Sequence, residues 1–211
     1  MARSAGRRRV LARAGTLALL LAACTGGERR PAPLAVTDST PTVVLETSLG
    51  RIVMRLDRRK APMTVEHILT HVQAGFYDGL IFHRVIPRFI IQAGLLRTDG
   101  SQRGSDAQPV PNEAENGLTN VRGAVGLARP RDPHLGAREF FIDVKDNPAL
   151  DFKAPTVDGF GYAVFGHVIE GMDVVDRIAA LPTARRFGVP NVPVTPVLIT
   201  RAYVDTTRGS P

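Results

Sequence analysis

One arginine interrupts an apolar stretch of this 211-residue chain. Arg84 lies between Phe82 and Val85 in the segment 82–94, which is otherwise rich in β-branched and aromatic residues. A guanidinium stays charged at any physiological pH, and its planar fork of donors holds a geometry that lysine does not. Because an arginine in a strand is usually on a solvated face or in a salt bridge, its residue type alone leaves its role open.

The sequence around Arg84 narrows that choice. Residues 82–94 read Phe-His-Arg-Val-Ile-Pro-Arg-Phe-Ile-Ile-Gln-Ala-Gly. This string resembles the signature of cyclophilin-type peptidyl-prolyl isomerases, Phe-His-Arg-Val-Ile-Pro-x-Phe-x-Ile-Gln-x-Gly, with Arg84, Phe89 and Gln92 at the family spacings. The similarity continues through 139–142 and 159–168, so the resemblance covers residues 41–204 and is highly specific.

The resemblance implies both catalytic and substrate-binding residues. The implied catalytic residues are Arg84, Phe89, Gln92 and Glu139. The implied substrate-binding residues are Phe82, Ile90, Ala128, Phe141, Leu150 and Tyr162. Within this set, apolar side chains would line a pocket for proline, Gln92 and Ala128 would contact the peptide backbone, and Tyr162 stands where eukaryotic members carry histidine.

The implied reaction is rotation about an Xaa-Pro bond. Amide resonance opposes this rotation with a barrier of about 20 kcal/mol. No covalent bond breaks, so we expect no cofactor, no metal and no nucleophile. The proline nitrogen becomes pyramidal and basic in the transition state, so a fixed guanidinium at Arg84 would stabilise that state more than the planar amide.

Three positions of the implied site depart from the family pattern: Glu139, Ala149 and Ile90. Ile90 replaces a methionine that is common in the family, which changes the shape of the side chain more than its chemistry. Glu139 replaces a glutamine, and its carboxylate could orient Arg84 or hold the guanidinium in a competing ion pair; we hypothesise orientation with a modest loss of activity. Ala149 stands where many eukaryotic members have tryptophan, which predicts weak binding of cyclosporin. His83 is expected to alternate to the face opposite Arg84 and to be structural.

Two other functional classes remain open at this stage. A barrel of this family could be a membrane-anchored module that binds proline-containing peptides with little turnover, or a chaperone-like scaffold that presents loops such as 97–111. The intact set of Arg84, Phe89 and Phe141 favours the enzyme over both.

The first 24 residues predict export and lipidation. Residues 1–23 have a basic start and a short apolar run, as in a secretory signal peptide. Residues 21–24, Leu-Ala-Ala-Cys, resemble the bacterial lipobox, in which the cysteine receives a lipid. Cys24 is the single cysteine of the chain, and ordinary signal cleavage beside a free thiol is the alternative. We therefore expect a bacterial cell-envelope protein, anchored to a membrane on the extracytoplasmic side.

The segment that follows predicts a flexible tether. Residues 24–40 are rich in Gly, Pro and charged residues and have no apolar period. Such a segment reaches roughly 20–24 Å, which is enough to hold a domain clear of a membrane surface.

Charge and composition limit the partners. The formal charge of +7 includes five arginines of the signal segment, which leaves about +2 for the remainder. With no basic run interleaved with aromatic residues, we expect no nucleic-acid partner. The expected partners are proline-containing polypeptides and a membrane, and we expect a monomer.

The elements that must position the site are mostly strands. A hairpin is predicted over 43–56, and a helix is predicted from Pro62 to Gly75 because Val65, Ile68, Leu69 and Val72 form one apolar stripe. His67 and His71 flank that stripe, so they are predicted to face solvent and not to bind a metal.

The second half of the domain is also predicted to consist mostly of strands. The sequence predicts further strands at 124–128, 139–144, 159–168 and 197–204, a second helix at 171–180, a connecting loop over 182–196 and a frayed tail at 205–211. Many strands and two helices without βαβ alternation predict a mainly β barrel or sandwich. The resemblance implies a closed eight-stranded antiparallel β-barrel capped by two α-helices.

Overall fold

The computed structural model of the protein describes residues 39–104 and 108–208. The predicted signal peptide, Cys24 and most of the predicted tether lie outside these ranges. Within them the fold is mainly β, as predicted. The strands are β1 (Thr42–Thr47), β2 (Gly50–Leu56), β3 (Leu80–Ile86), β4 (Ile90–Arg97), β5 (Ala124–Leu127), β6 (Phe140–Asp143), β7 (Val164–Glu170), β8 (Thr183–Arg186), β9 (Val189–Pro193) and β10 (Ile199–Val204). The α-helices are α1 (Pro62–Gln73) and α2 (Met172–Ala179).

Eight of these strands form one antiparallel sheet in the order β10-β1-β2-β7-β5-β6-β4-β3. The two edge strands approach each other, and backbone hydrogen bonds from Gly79 N to Ile199 O (2.8 Å) and from Phe82 N to Val197 O (3.1 Å) join them. The sheet is therefore a nearly closed barrel, and the eight-stranded prediction is confirmed.

Both helices bury one apolar face against the barrel core. The stripe Val65, Ile68, Leu69 and Val72 of α1 is buried, as the sequence predicts. Val174, Val175 and Ile178 of α2 belong to the same hydrophobic cluster as the strands. Each side chain buried in this way contributes about 1.5–3 kcal/mol. In the described ranges, no helix is long and apolar enough to cross a membrane.

The predicted loop over 182–196 is instead a second hairpin, so that prediction is wrong. β8 and β9 pair across Phe187 (φ 53°) and Gly188 (φ 77°). Positive φ at both turn residues suits the twist of a two-residue hairpin, but phenylalanine rarely adopts it, so the sequence gives no turn signal. Val192 of β9 is buried and packs with Ile81 and Leu96 in a small core of its own.

Two smaller predictions also need correction. β7 begins at Val164, later than the predicted residue 159. The predicted frayed tail is ordered to residue 208, because Asp205 N donates to Thr42 O and residues 206–208 form a 3₁₀ turn.

The histidines of α1 do not face solvent as predicted. His71 is buried, and its ring packs edge-on against Phe76 at 5.0 Å between centroids. His67 is half-buried, and its Nε2 forms a hydrogen bond with Ala137 O. The segment before β6 and the aromatic residues after α1 cover this flank, which the helical periodicity of α1 alone does not reveal.

A buried polar group ties the end of β6 to the β3–β4 turn. Asn147 Nδ2 donates to Asp143 Oδ1 (2.6 Å) and to Phe89 O (3.1 Å). Val144 N also donates to Phe89 O at 2.8 Å. The loop that follows β6 is therefore fixed to the backbone of Phe89 by two hydrogen bonds, and a third joins Asn147 to Asp143.

Asp143 is the member of this group whose hydrogen bonding is incomplete. Its side chain is fully buried, and Oδ2 has no hydrogen-bond partner in the described part of the chain. Burial raises the pKa of Asp143 to about 7, the hydrogen bond from Asn147 opposes this rise, and the charges of Asp151 and Asp146 add to it. The carboxyl group is thus held as the neutral acid at pH values where an unfolded aspartate is ionised.

This pKa predicts that the contribution of Asp143 to stability depends on pH. Between about pH 4 and pH 7 the folded protein keeps a proton that the unfolded chain releases, so this contribution to the free energy of unfolding falls as the pH rises and levels off above about pH 7. The wild type should lose on the order of 4 kcal/mol at most, relative to Asp143→Asn, across this window. Denaturant unfolding of both proteins from pH 4 to pH 8 measures the difference.

The exposed Asp158 supplies a matched control for the loss of one carboxyl group. Asp158→Asn should leave the pH dependence of the wild type in place. A difference between wild type and Asp143→Asn that stays constant from pH 4 to pH 8 would contradict the raised pKa.

Candidate active site

One pocket of about 350 Å³ gathers eight of the predicted site residues. These are Arg84, Phe89, Ile90, Gln92, Ala128, Phe141, Leu150 and Tyr162, and Arg129 completes the lining. They come from β3, β4, β6 and the connections around them. Five of the lining residues are apolar, and the other four bring polar groups, among them one guanidinium from β3 and one from the segment after β5.

The floor of the pocket depends on close packing around Phe141. Its ring meets Tyr162 edge-on at 5.7 Å between centroids. Across the sheet, Phe141 is paired with Gln92 of β4 and with Gly126 of β5. A Cβ atom at Gly126 would lie 2.2 Å from the Phe141 ring, so only glycine leaves room for the ring in this position.

Phe82 does not line this pocket, although the resemblance implies a role in substrate binding. It is fully buried in the barrel core. The reason is a shift of register in the β3–β4 pair: Phe82 lies opposite Ala93 and Arg84 lies opposite Gln92, so two steps on β3 match one on β4. This bulge breaks the alternation that would place Phe82 and Arg84 on the same face.

Arg84 contacts the residue that faces it across the sheet. Its Nη1 donates to Gln92 Oε1 at 3.0 Å. Gln92 Nε2 in turn donates to Glu139 Oε2 at 2.9 Å. Glu139 therefore reaches the arginine through Gln92, and the direct ion pair considered from the sequence does not form.

His83 is buried and does not line the pocket, which agrees with the structural role predicted for it. It is the extra residue of the β3 bulge and is buried, with its Nε2 at 3.2 Å from Glu139 Oε2. Burial opposes ionisation of Glu139, but hydrogen bonds from His83 and Gln92 and the charges of His83 and Arg138 hold the pKa of Glu139 below its ordinary value. His83 thus joins the polar group behind Arg84 instead of packing on a separate face.

Arg129 is the lining residue that sequence reasoning missed. Its Nε donates to Gly161 O at 2.8 Å, and its guanidinium lies 4.6 Å from the centroid of the Tyr162 ring. Its position directly after Ala128 is the one available signal. That signal is weak because the segment 129–138 carries several charges, any of which could face solvent.

A second cavity, of about 430 Å³, is larger but contains none of the predicted site residues. It lies over β2 and β7 and is lined by residues such as Leu56, Leu118 and His167.

The chemistry of the first pocket follows from its lining. Among the described residues that line it, none is Ser, Thr, Cys or His, so it offers no paired nucleophile and base. It offers an apolar recess beside a fixed cation. Such a site can hold a compact apolar ring and stabilise a lone pair that develops next to it.

Comparisons with known proteins identify the family of the chain. Residues 42–204 match the family described as cyclophilin type peptidyl-prolyl cis-trans isomerase/CLD. The chain is 50% identical over 163 residues to peptidyl-prolyl cis-trans isomerase cyp18 of Streptomyces antibioticus, a match that covers 77% of this chain and 98% of that protein. It is 42% identical over 163 residues to peptidyl-prolyl cis-trans isomerase B of Escherichia coli, covering 77% and 99%.

Solved structures support the fold. A Cryptosporidium parvum cyclophilin type peptidyl-prolyl cis-trans isomerase, crystallised in the presence of the dipeptide Ala-Pro, superposes with a TM-score of 0.66 at 22% identity and covers 78% of this chain and 99% of that one. At this identity the likeness concerns the fold alone. The extent of the family match and the identity to bacterial members show that the chain belongs to the cyclophilin-type peptidyl-prolyl cis-trans isomerases.

Proposed function

We propose that this isomerase acts on proline-containing segments of proteins outside the cytoplasm, and that Arg84 stabilises the twisted Xaa-Pro amide. The observation that carries the proposal is the placement of the Arg84 guanidinium in the pocket wall, beside the apolar side chains of Phe89, Phe141 and Leu150. A domain that only bound proline would need the recess but not the cation.

The proposed mechanism is differential binding. The pyrrolidine ring would enter the recess formed by Phe89, Phe141 and Leu150. As the amide twists, its nitrogen gains a lone pair, and an N–H of Arg84 donates to it. Gln92 already holds Nη1, so the guanidinium needs little reorganisation when the transition state forms. Because the planar amide offers no such lone pair, the contact lowers the barrier and does not merely tighten binding.

Substitution of Arg84 tests this mechanism. Removing one preorganised donor typically costs 10²–10³ in rate, so we expect kcat/KM for a short Xaa-Pro peptide to fall by about that factor in Arg84→Ala. Arg84→Lys should recover only part of the loss, because lysine keeps the charge but not the fork of donors. A protease-coupled isomerisation assay measures both.

The exposed Arg59 provides a matched control, since Arg59→Ala removes a guanidinium elsewhere on the surface. This variant should keep the wild-type rate. Equally fast isomerisation by the wild type and Arg84→Ala would contradict the proposed role of the arginine. Slow isomerisation by both would favour a proline-binding module with little turnover.

The proposed location rests on the N-terminal sequence. Leu21, Ala22 and Ala23 precede Cys24 in the order of a bacterial lipobox. The described domain begins at residue 39, which leaves a spacer of about fifteen residues after the cysteine. A lipid on Cys24 would therefore hold the isomerase near an extracytoplasmic membrane surface without fixing its orientation.

Substitution of Cys24 tests the anchor. The full-length chain, expressed in a bacterial host, should fractionate with membranes, and Cys24→Ser should move to the soluble extracytoplasmic fraction or stay as an unprocessed precursor. Mass spectrometry of the wild type should find the added lipid on the cysteine. Isomerase activity of both proteins serves as the folding control, and equal membrane association of both would refute the anchor.

A further inference from the structure

A line of hydrogen-bonding groups runs from the barrel core to the pocket. It begins at His83, passes through the carboxylate of Glu139 and the amide of Gln92, and ends at Arg84. The three contacts measure 3.2, 2.9 and 3.0 Å in that order. Only the last two residues of the line also form part of the pocket lining.

The chemistry of the carboxylate decides how the amide of Gln92 is turned. An ionised carboxylate only accepts hydrogen bonds, whereas an amide has a donating and an accepting end. Gln92 must therefore present its NH₂ group to Glu139, and its carbonyl oxygen is left facing Arg84. In the reverse orientation, the NH₂ group of Gln92 would face the N–H donors of Arg84, and its carbonyl oxygen would face the accepting oxygens of Glu139.

His83 fixes the carboxylate in turn. Its Nε2 and the Nε2 of Gln92 both approach the same oxygen, Oε2 of Glu139. The His83 ring is buried, and its Nδ1 has no hydrogen-bond partner among the residues that the structure describes. The contact with Glu139 is therefore the polar contact that sets the position of this ring, and the bulge of β3 directs the ring toward the carboxylate instead of the pocket.

We propose that Glu139, held by His83, is a positioning residue that orients the amide of Gln92 and through it the guanidinium of Arg84. The inference rests on the proposed role of Arg84 and assigns Glu139 no contact with substrate. The low pKa of the Glu139 carboxyl group supports it, since the group stays an acceptor throughout the neutral pH range.

A double-mutant cycle tests the proposal. Glu139→Leu removes the acceptor, and we expect kcat/KM to fall about tenfold with kcat accounting for most of the loss, because the amide of Gln92 is released. Glu139→Gln keeps an accepting carbonyl and should stay within about threefold of the wild type. In the Gln92→Ala variant, adding Glu139→Leu should lower kcat/KM by less than about twofold, because the amide that Glu139 orients is already absent.

A purely structural role gives a different pattern. If Glu139 only stabilised the fold, Glu139→Leu would lower activity by the same factor with and without Gln92, and this additivity would overturn the proposal. Thermal unfolding of all four proteins of the cycle checks that each is folded at the assay temperature. A rate in Glu139→Gln well above that of the wild type would also overturn it, since the carboxylate would then be inhibitory.

The two proposals fail separately in this design. If Arg84→Ala keeps the wild-type rate, the proposed mechanism of the arginine fails whatever the cycle shows. If Arg84→Ala loses activity and the Glu139 and Gln92 effects are additive, the arginine mechanism stands and the positioning role of Glu139 is removed.

Discussion

The hydrogen bond between Arg84 and Gln92 across β3 and β4 is the interaction on which the site depends. It exists because one extra residue, His83, enters β3 and shifts the register between Phe82 and Arg84. The same shift sends Phe82 into the core and leaves the arginine at the pocket wall. This bulge therefore allows an apolar core strand to present a cation at the pocket. It leaves one residue of β3 without a partner in the pairing with β4.

The barrel holds this cation where it can act without first rearranging. Phe141 supplies the pocket floor only because Gly126, its neighbour across the sheet, has no side chain. The Phe89 wall is tied to the loop after β6 through Asn147 and Val144. These contacts are made between strands and short connections, so the recess is formed before substrate arrives, which is the condition under which a fixed dipole or charge is most effective.

Much of this arrangement could be predicted from the sequence, and the failures have physical causes. Periodicity predicted the buried face of α1, and the motif identified the lining residues from Arg84 to Tyr162. It could not reveal the bulge, because a register shift depends on the partner strand; hence Phe82 was misplaced. The β8–β9 hairpin was missed because Phe187 adopts a positive φ. Arg129 and the indirect contact of Glu139 depend on packing between segments far apart in the chain.

The Gln92 amide between Glu139 and Arg84 explains how a carboxylate can lie this close to the cation that we propose to be catalytic. In direct contact, a carboxylate would form an ion pair with the guanidinium and occupy the N–H donors that the proposed mechanism requires for the twisted amide. With Gln92 between them, the carboxylate sets the direction of a neutral carbonyl, and that carbonyl engages a single nitrogen of the arginine. The guanidinium therefore keeps its positive charge, and its remaining N–H donors stay available to a ligand in the pocket. His83 and Gln92 meanwhile bind one oxygen of the carboxylate, and the charge of Arg138 also favours its ionised form, so Glu139 stays ionised without direct contact with Arg84.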